Sequence, residues 1–151
     1  MMKEQKRFFL STMYIMGMTT LHHFYGAVIY PQIFRAYVAL GAIAIGFLEY
    51  MLYRLHLKKK EKLSGVLFQL IACIVPVLMI GFYEGGYNHV LKNILFFSGA
   101  DRNVLTKLFP PPEYEMPDNF LFECTGILQF VLAVMALIFF IRWKRSARTA
   151  G

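Results

Sequence analysis

Charge is scarce in this sequence: only 17% of its 151 residues are Asp, Glu, Lys or Arg, against 58% hydrophobic ones. With a mean hydropathy of +0.50, the chain has too few polar side chains to cover an ordinary soluble domain of its size. That balance excludes a disordered chain and a coiled coil. Cysteine is scarcer still, and the two present, Cys73 and Cys124, are too few for a disulfide scaffold, a paired-cysteine redox motif or a cysteine zinc cage. They are also expected to lie at different membrane depths, Cys73 roughly 16 Å below the outer end of its span, whereas bridged Cα atoms lie within about 7 Å. HExxH and paired HxxxH motifs are absent, as is any internal repeat, so no standard metal or nucleotide signature announces an activity.

What the sequence does contain is four long apolar runs, at residues 8–30, 36–53, 64–83 and 120–143. Each approaches the roughly 17 to 25 residues that cross a bilayer as a helix. They are continuously apolar, unlike the alternating segments of a β-barrel. The first follows Lys3, Lys6 and Arg7 and is stopped by Pro31; with no small-x-small cleavage site after it, it reads as a retained anchor and not a signal peptide. The expected fold is an all-α integral membrane domain over residues 1–151, a four-transmembrane-helix bundle.

Charge placement sets the expected orientation. Lys3, Lys6, Arg7, Arg54, Lys58, Lys59, Lys60, Lys62, Arg142, Lys144, Arg145 and Arg148 fall on one side. Arg35, Lys92, Arg102 and Lys107 fall on the other, beside Glu84, Asp101, Glu113, Glu115, Asp118 and Glu123. By the positive-inside rule both termini are cytoplasmic, and a compact chain of this kind suits a prokaryotic inner membrane. The net charge of +7 is then a topology signal with some attraction to anionic lipid, and the expected partner is the bilayer, with a homo-oligomer or a larger membrane complex as further possibilities and no nucleic acid.

The outer connection, residues 84–119, has its own character. Glu84-Gly85-Gly86 is expected to end or bend the third span. Residues 87–97 then place Tyr87, Val90, Leu91, Ile94 and Leu95 on one face and Asn88, His89, Lys92 and Asn93 on the other, the pattern of a short amphipathic helix lying in the interface. Pro110-Pro111-Pro112 and Pro117 make an extended strap, and Asp118 or Asn119 can cap the fourth span.

Small and polar residues at helical spacing mark the faces that meet inside the bundle. They are Ala39, Ala42, Gly46 and Glu49 in the second span; Gln69, Cys73, Pro76, Ile80 and Glu84 in the third; and Gly126, Gln129, Ala133 and Ala136 in the fourth. Depth sorts the polar groups into an inner layer of Glu49, Gln69 and Tyr14 and an outer layer of His22, His23, Glu84, His89, Glu123 and Gln129. Glu49 is expected to be a buried carboxyl satisfied by Gln69 or Tyr14, or else a proton or cation station. Trp143, Tyr53 and Tyr30 sit at span boundaries as interface anchors.

An ionisable residue inside a span is a functional candidate by default. Adjacent His22 and His23 diverge by about 100° on a helix, so one imidazole is expected to point inward, as ligand, base or proton carrier, while the other reaches the headgroups. In the alternative, the inward imidazole only hydrogen-bonds across helices as packing glue. His89 either joins Glu84 at a shared outer cavity or, the plainer expectation, faces solvent from the interfacial helix. Glu123 either joins the layer or simply complements its helix N-terminus.

His and Glu suit zinc, iron or copper, so His22, His23, Glu84, His89 and Glu123 are the candidate ligands of a divalent transition metal. A haem held by His22 or His23 with His89 is conceivable only if His89 folds into the bundle. Three functions compete. The first is an outward-facing binding or transport-accessory layer for a metal ion or another cationic or polar ligand. The second is a membrane-embedded enzyme acting on a lipid or isoprenoid-like substrate by His/Glu acid-base chemistry. The third is an assembly subunit of a larger complex.

Overall fold

A computed structural model describes residues 2–59, 61–111 and 114–149; Lys60, Pro112 and Glu113, used above in the charge count and the proline strap, lie outside the described residues. All regular structure among them is helical: α1 (Met2–Ile29), α2 (Ile33–Lys59), α3 (Lys62–Phe97), the short α4 (Arg102–Leu108) and α5 (Phe120–Arg148). α1 packs against α5 and α2, and α5 also packs along α3. α2 meets the first part of α3 but has no comparable packing on the rest of it. The two helices therefore diverge away from their shared turn.

Three helices, α2, α3 and α5, are long and apolar enough to cross a membrane. α1 is 28 residues long but is not among them, for a physical reason that its burial pattern supplies. Gln5, Ser11, Thr12, Thr19, His22 and His23 are buried, while Leu10, Tyr14, Leu21, Phe24 and Val28 are exposed. The polar residues that lower the hydropathy of α1 thus face the bundle, together with Phe8, Phe9, Ile15 and Met16, while its outward face from Leu10 onward is apolar.

The inward faces expected for α2 and α5 are observed: Ala39, Ala42, Gly46 and Glu49 are buried, as are Gly126, Gln129, Ala133 and Ala136. α3 departs from expectation. Its second part, Cys73–Leu91, is π-helical, with Pro76 inside it. A proline lacks the N–H of an α-turn and crowds the preceding carbonyl, a conflict that a wider i→i+5 turn relieves. The buried positions are Ala72, Pro76, Val77, Gly81, Gly85, Asn88 and His89, and the run Val77, Gly81, Gly85, His89 repeats every four residues, more widely than the about 3.6 of an α-helix. Of the expected stripe, Pro76 is buried, whereas Gln69, Cys73, Ile80 and Glu84 are only half-buried.

Two further corrections follow. Glu84-Gly85-Gly86 does not end the third helix, so residues 87–97 are its continuation and not a separate interfacial helix. The stop is Gly99, at φ 79°, where Ala100 N donates to Leu95 O (3.0 Å) and Gly99 N to Phe96 O (3.2 Å), a Schellman closure. The polar face of that stretch also points inward: Asn88, His89 and Lys92 are buried, whereas Leu91 and Ile94 are exposed.

At the end of the bundle carrying the N-terminus, Phe8, Phe9, Tyr53, Phe68 and Trp143 form a buried aromatic core. Phe9 stacks on Tyr53 with ring centroids 4.0 Å apart. Tyr53 and Trp143 are therefore core residues, not interface anchors; their ring area is spent on neighbouring aromatics. At the opposite end the strap returns to α5, whose N-cap is Asn119, accepting from Phe122 N at 3.0 Å. Tyr25 and Tyr30 of the α1 end donate to Asn119 and Asp118, and Gln32 donates to Glu115.

Candidate metal centre

Three side chains from two helices converge near the strap. His22 of α1 and His89 of α3 turn their Nε2 atoms toward Oε1 of Glu84, at 3.9 and 3.7 Å. All three potential ligand atoms lie within 4.8 Å of one another. A tetrahedral zinc ion with bonds of roughly 2.0–2.2 Å needs ligand atoms about 3.4 Å apart, so modest side-chain adjustment closes the set. Both imidazoles are almost fully buried, and Glu84 is 22% exposed.

The π-helix is what puts Glu84 and His89 together. Five residues along an α-helix leave two side chains about 140° apart, whereas in an i→i+5 turn they stack on one face. The expected alternative, a bend at Gly85-Gly86, is not needed.

Each of the three groups is held from behind. His22 Nδ1 lies 2.9 Å from Thr125 Oγ1, and that hydroxyl spends its one proton on the Leu121 and Phe122 carbonyls, each at 2.9 Å. Thr125 therefore accepts from His22 Nδ1–H, which leaves Nε2 as a lone pair. That Nε2 has no hydrogen-bond partner among the described residues. His89 Nδ1 donates to Glu123 Oε2 at 2.8 Å, so in the neutral ring Nε2 is the lone-pair nitrogen. Asn88 Nδ2 donates to Glu84 Oε2 at 2.8 Å, leaving Oε1 for the centre. Outer partners of this kind fix the tautomer and orientation of metal ligands.

Glu123 stands behind His89. Its Oε1 accepts from Lys92 Nζ at 2.9 Å, its Oε2 also accepts from Asn93 Nδ2 at 2.5 Å, and Lys92 Nζ donates as well to Glu115 O at 2.6 Å. His23 packs edge-on against His22, with centroids 5.1 Å apart, lines the neighbouring cavity, and is not among the three residues whose ligand atoms lie within 4.8 Å of one another. Gln129 is fully buried, with neither side-chain polar atom partnered among the described residues. The His22 and His89 rings meet edge to face at 4.8 Å. Both Nε2 atoms face the same carboxylate oxygen, an arrangement unlike the opposed imidazoles that would hold a haem between them.

Thr125, Lys92 and Asn93 supply supporting roles that sequence reasoning did not assign. Lys92 and Asn93 carried a signal in sharing a polar face with His89; Thr125 carried none.

Close backbone approach seats His89. A Cβ on Gly126 would lie 2.2 Å from the His89 ring, and the ring cannot withdraw without leaving Glu123. Gly126→Ala is expected to destabilise the protein by about 1–3 kcal/mol and to misalign His89. Thermal melting in detergent together with zinc uptake checks this; a variant that melts and binds like wild type contradicts it.

Beside the centre is a cavity of about 650 Å³ between the outer halves of α2 and α3, where the two helices diverge. Its lining includes the polar residues Glu84, His89, His23, Arg35, Lys92 and Glu115, and the apolar Phe34, Val38, Leu78 and Met79, which are exposed on the surface of the bundle. Arg35 is held by Gln32 at 2.7 Å and lies over the rings of Tyr30, Phe34 and Phe122.

The inner layer is built differently from expectation. Tyr14 is 65% exposed, and Gln69 bonds Gly65 O and Lys144 Nζ. Fully buried Glu49 is instead partnered by Thr12, and its Oε2 has no partner among the described residues. Thr12→Val, which strips Glu49 of its partner, is expected to cost about 1–3 kcal/mol. Additional loss of the carboxyl in Thr12→Val/Glu49→Leu should restore part of it. Melting temperatures of the two variants provide the check.

Cys73 and Cys124 are both free thiols. No protein-family model, no curated protein and no solved structure matches this chain.

Proposed function

We propose that His22, Glu84 and His89 form a binding site for a divalent transition-metal ion in a four-span membrane protein with both termini cytoplasmic, the outer layer facing away from them. A prokaryotic inner membrane is the proposed setting. The observation that carries the reading is the convergence of two imidazole Nε2 atoms and one carboxylate oxygen, on residues each backed by its own hydrogen-bond partner. α1 counts as the fourth span because its outward residues are apolar.

Two imidazoles and one carboxylate suit zinc with an open fourth position, or iron(II) in a facial triad. A divalent ion on this set keeps one net positive charge, which invites an oxygen ligand from the cavity. Its ligand set is narrower than the full His/Glu layer: His23 and Glu123 serve as neighbour and support. The direct test is metal content of protein purified in mild detergent without a His tag, with cobalt(II) absorption as a second readout. One ion per chain in wild type, lost in a folded His22→Ala variant, is the expected result; no uptake by wild type overturns the proposal.

One observation favours a second reading, that of a membrane-embedded enzyme: the cavity between α2 and α3 joins an apolar part, lined by the exposed Phe34, Val38, Leu78 and Met79, to a polar end that includes Glu84 and His89. An amphiphile entering from the bilayer would bring its polar end to the open metal position, where a bound water or substrate oxygen is polarised. Turnover of a lipid-like ester or phosphate that depends on added metal supports this reading; metal uptake with no lipid turnover leaves binding or transport accessory work as the function.

A further inference from the structure

The opposite end of the bundle carries a second cavity, of about 780 Å³, between the start of α1 and the end of α2. Four cations line it, Lys3, Lys6, Arg54 and Lys58, and no carboxylate does. The nearby acids are engaged elsewhere, Glu4 with Arg7 at 2.9 Å and Glu61 with Lys59 at 4.0 Å. Among the described residues, no carboxylate pairs with Lys3, Lys6, Arg54 or Lys58. Gln5 also lines the cavity; it is 6% exposed, and its Nε2 donor has no hydrogen-bond partner among the described residues. A buried amide donor left without an acceptor is costly unless a ligand supplies one.

The remaining lining is aromatic and aliphatic: Phe9, Tyr50, Tyr53, Leu10 and Leu57. Of these, Leu10, Tyr50 and Leu57 continue onto the exposed apolar surface of the bundle. Charge of one sign, an unfilled donor and an apolar exit toward the bilayer define a ligand with an anionic oxygen-rich head and hydrocarbon tails. We propose that this cavity is a specific site for an anionic glycerophospholipid, its phosphodiester held by Arg54, Lys58 and Gln5 and its acyl chains lying against Leu10, Tyr50 and Leu57. Basic pockets between spans on the cytoplasmic side bind such head groups. The site is separate from the His/Glu centre and does not depend on it.

Native mass spectrometry of the full chain, titrated with phosphatidylglycerol, with phosphatidylcholine or with inorganic phosphate, tests the assignment. One retained phosphatidylglycerol per chain is expected, with at least about tenfold weaker retention in Arg54→Gln/Lys58→Gln. Gln5→Leu, which removes no charge, is expected to weaken retention severalfold, whereas Arg142→Gln/Arg145→Gln, which removes two exposed cations elsewhere, should leave it intact. Equal retention of phosphatidylcholine overturns the proposal, as does equal loss in the Arg142/Arg145 control, which would mean diffuse surface charge. Displacement of the lipid by millimolar phosphate would reassign the cavity to a soluble anion and overturn the lipid assignment. Unchanged melting temperatures confirm that each variant is folded.

Discussion

Glu84→Ala, His22→Ala and His89→Ala are each expected to weaken zinc binding by about 100-fold or more while leaving the bundle folded. Each removes one of three convergent donors, and a site with two protein ligands does not compete with water and buffer. Folding survives because the bundle rests on other contacts: the aromatic core around Phe8 and Phe68, and the close packing of α3 on α5 through Gly85 and Gly126. Removing His22 leaves the Thr125 hydroxyl its carbonyl partners, and removing Glu84 leaves a face that already borders the cavity. Competition titration against a chromophoric chelator measures the affinity, and a melting curve measures the fold. Three folded variants with wild-type affinity would contradict the ligand assignment.

The second large effect is expected at a residue that touches no metal. Glu123 orients His89 and also neutralises Lys92, whose side chain is 2% exposed. Glu123→Gln keeps the shape but leaves a buried ammonium without its carboxylate, at an expected cost of about 3–5 kcal/mol. The same change weakens the acceptor for His89 Nδ1–H and should lower zinc affinity by roughly 10- to 100-fold. The two consequences separate in Glu123→Gln/Lys92→Met: stability should largely recover, since no buried charge is left unpaired, while zinc affinity stays low. Recovery of affinity along with stability would show that Glu123 acts through folding alone.

The helical class and its long apolar helices were legible because hydropathy reports directly on lipid-facing surface. The α2 and α5 faces were legible too, since Ala39, Ala42, Gly46 and Glu49 follow ordinary helical spacing. α3 was not, because Pro76 sits where an α-helix is disfavoured and the resulting π-turns change the period by which inward residues recur. That one change misdirected the reading of Gly85-Gly86 as a stop and of residues 87–97 as an interfacial helix, since their polar face was assumed to seek water. Its true destination is Glu123 and the strap, partners more than twenty residues away in sequence. The His/Glu candidates were visible as costly groups within apolar runs. Their division into converging and supporting members was not, because it rests on helix rotation and on Thr125, an unremarkable threonine until it meets His22. Likewise Thr12, and not Gln69 or Tyr14, reaches Glu49 because α1 turns its polar side to α2.

The most direct measurement of the central claim is X-ray absorption at the zinc edge on tag-free protein loaded with one equivalent of zinc, beside the His22→Ala/His89→Ala variant. Two imidazole nitrogens at about 2.0–2.1 Å with oxygen completing the shell, absent from the folded variant, is the expected result. A wild-type protein that retains no zinc, or an imidazole signal that persists in the variant, would contradict it.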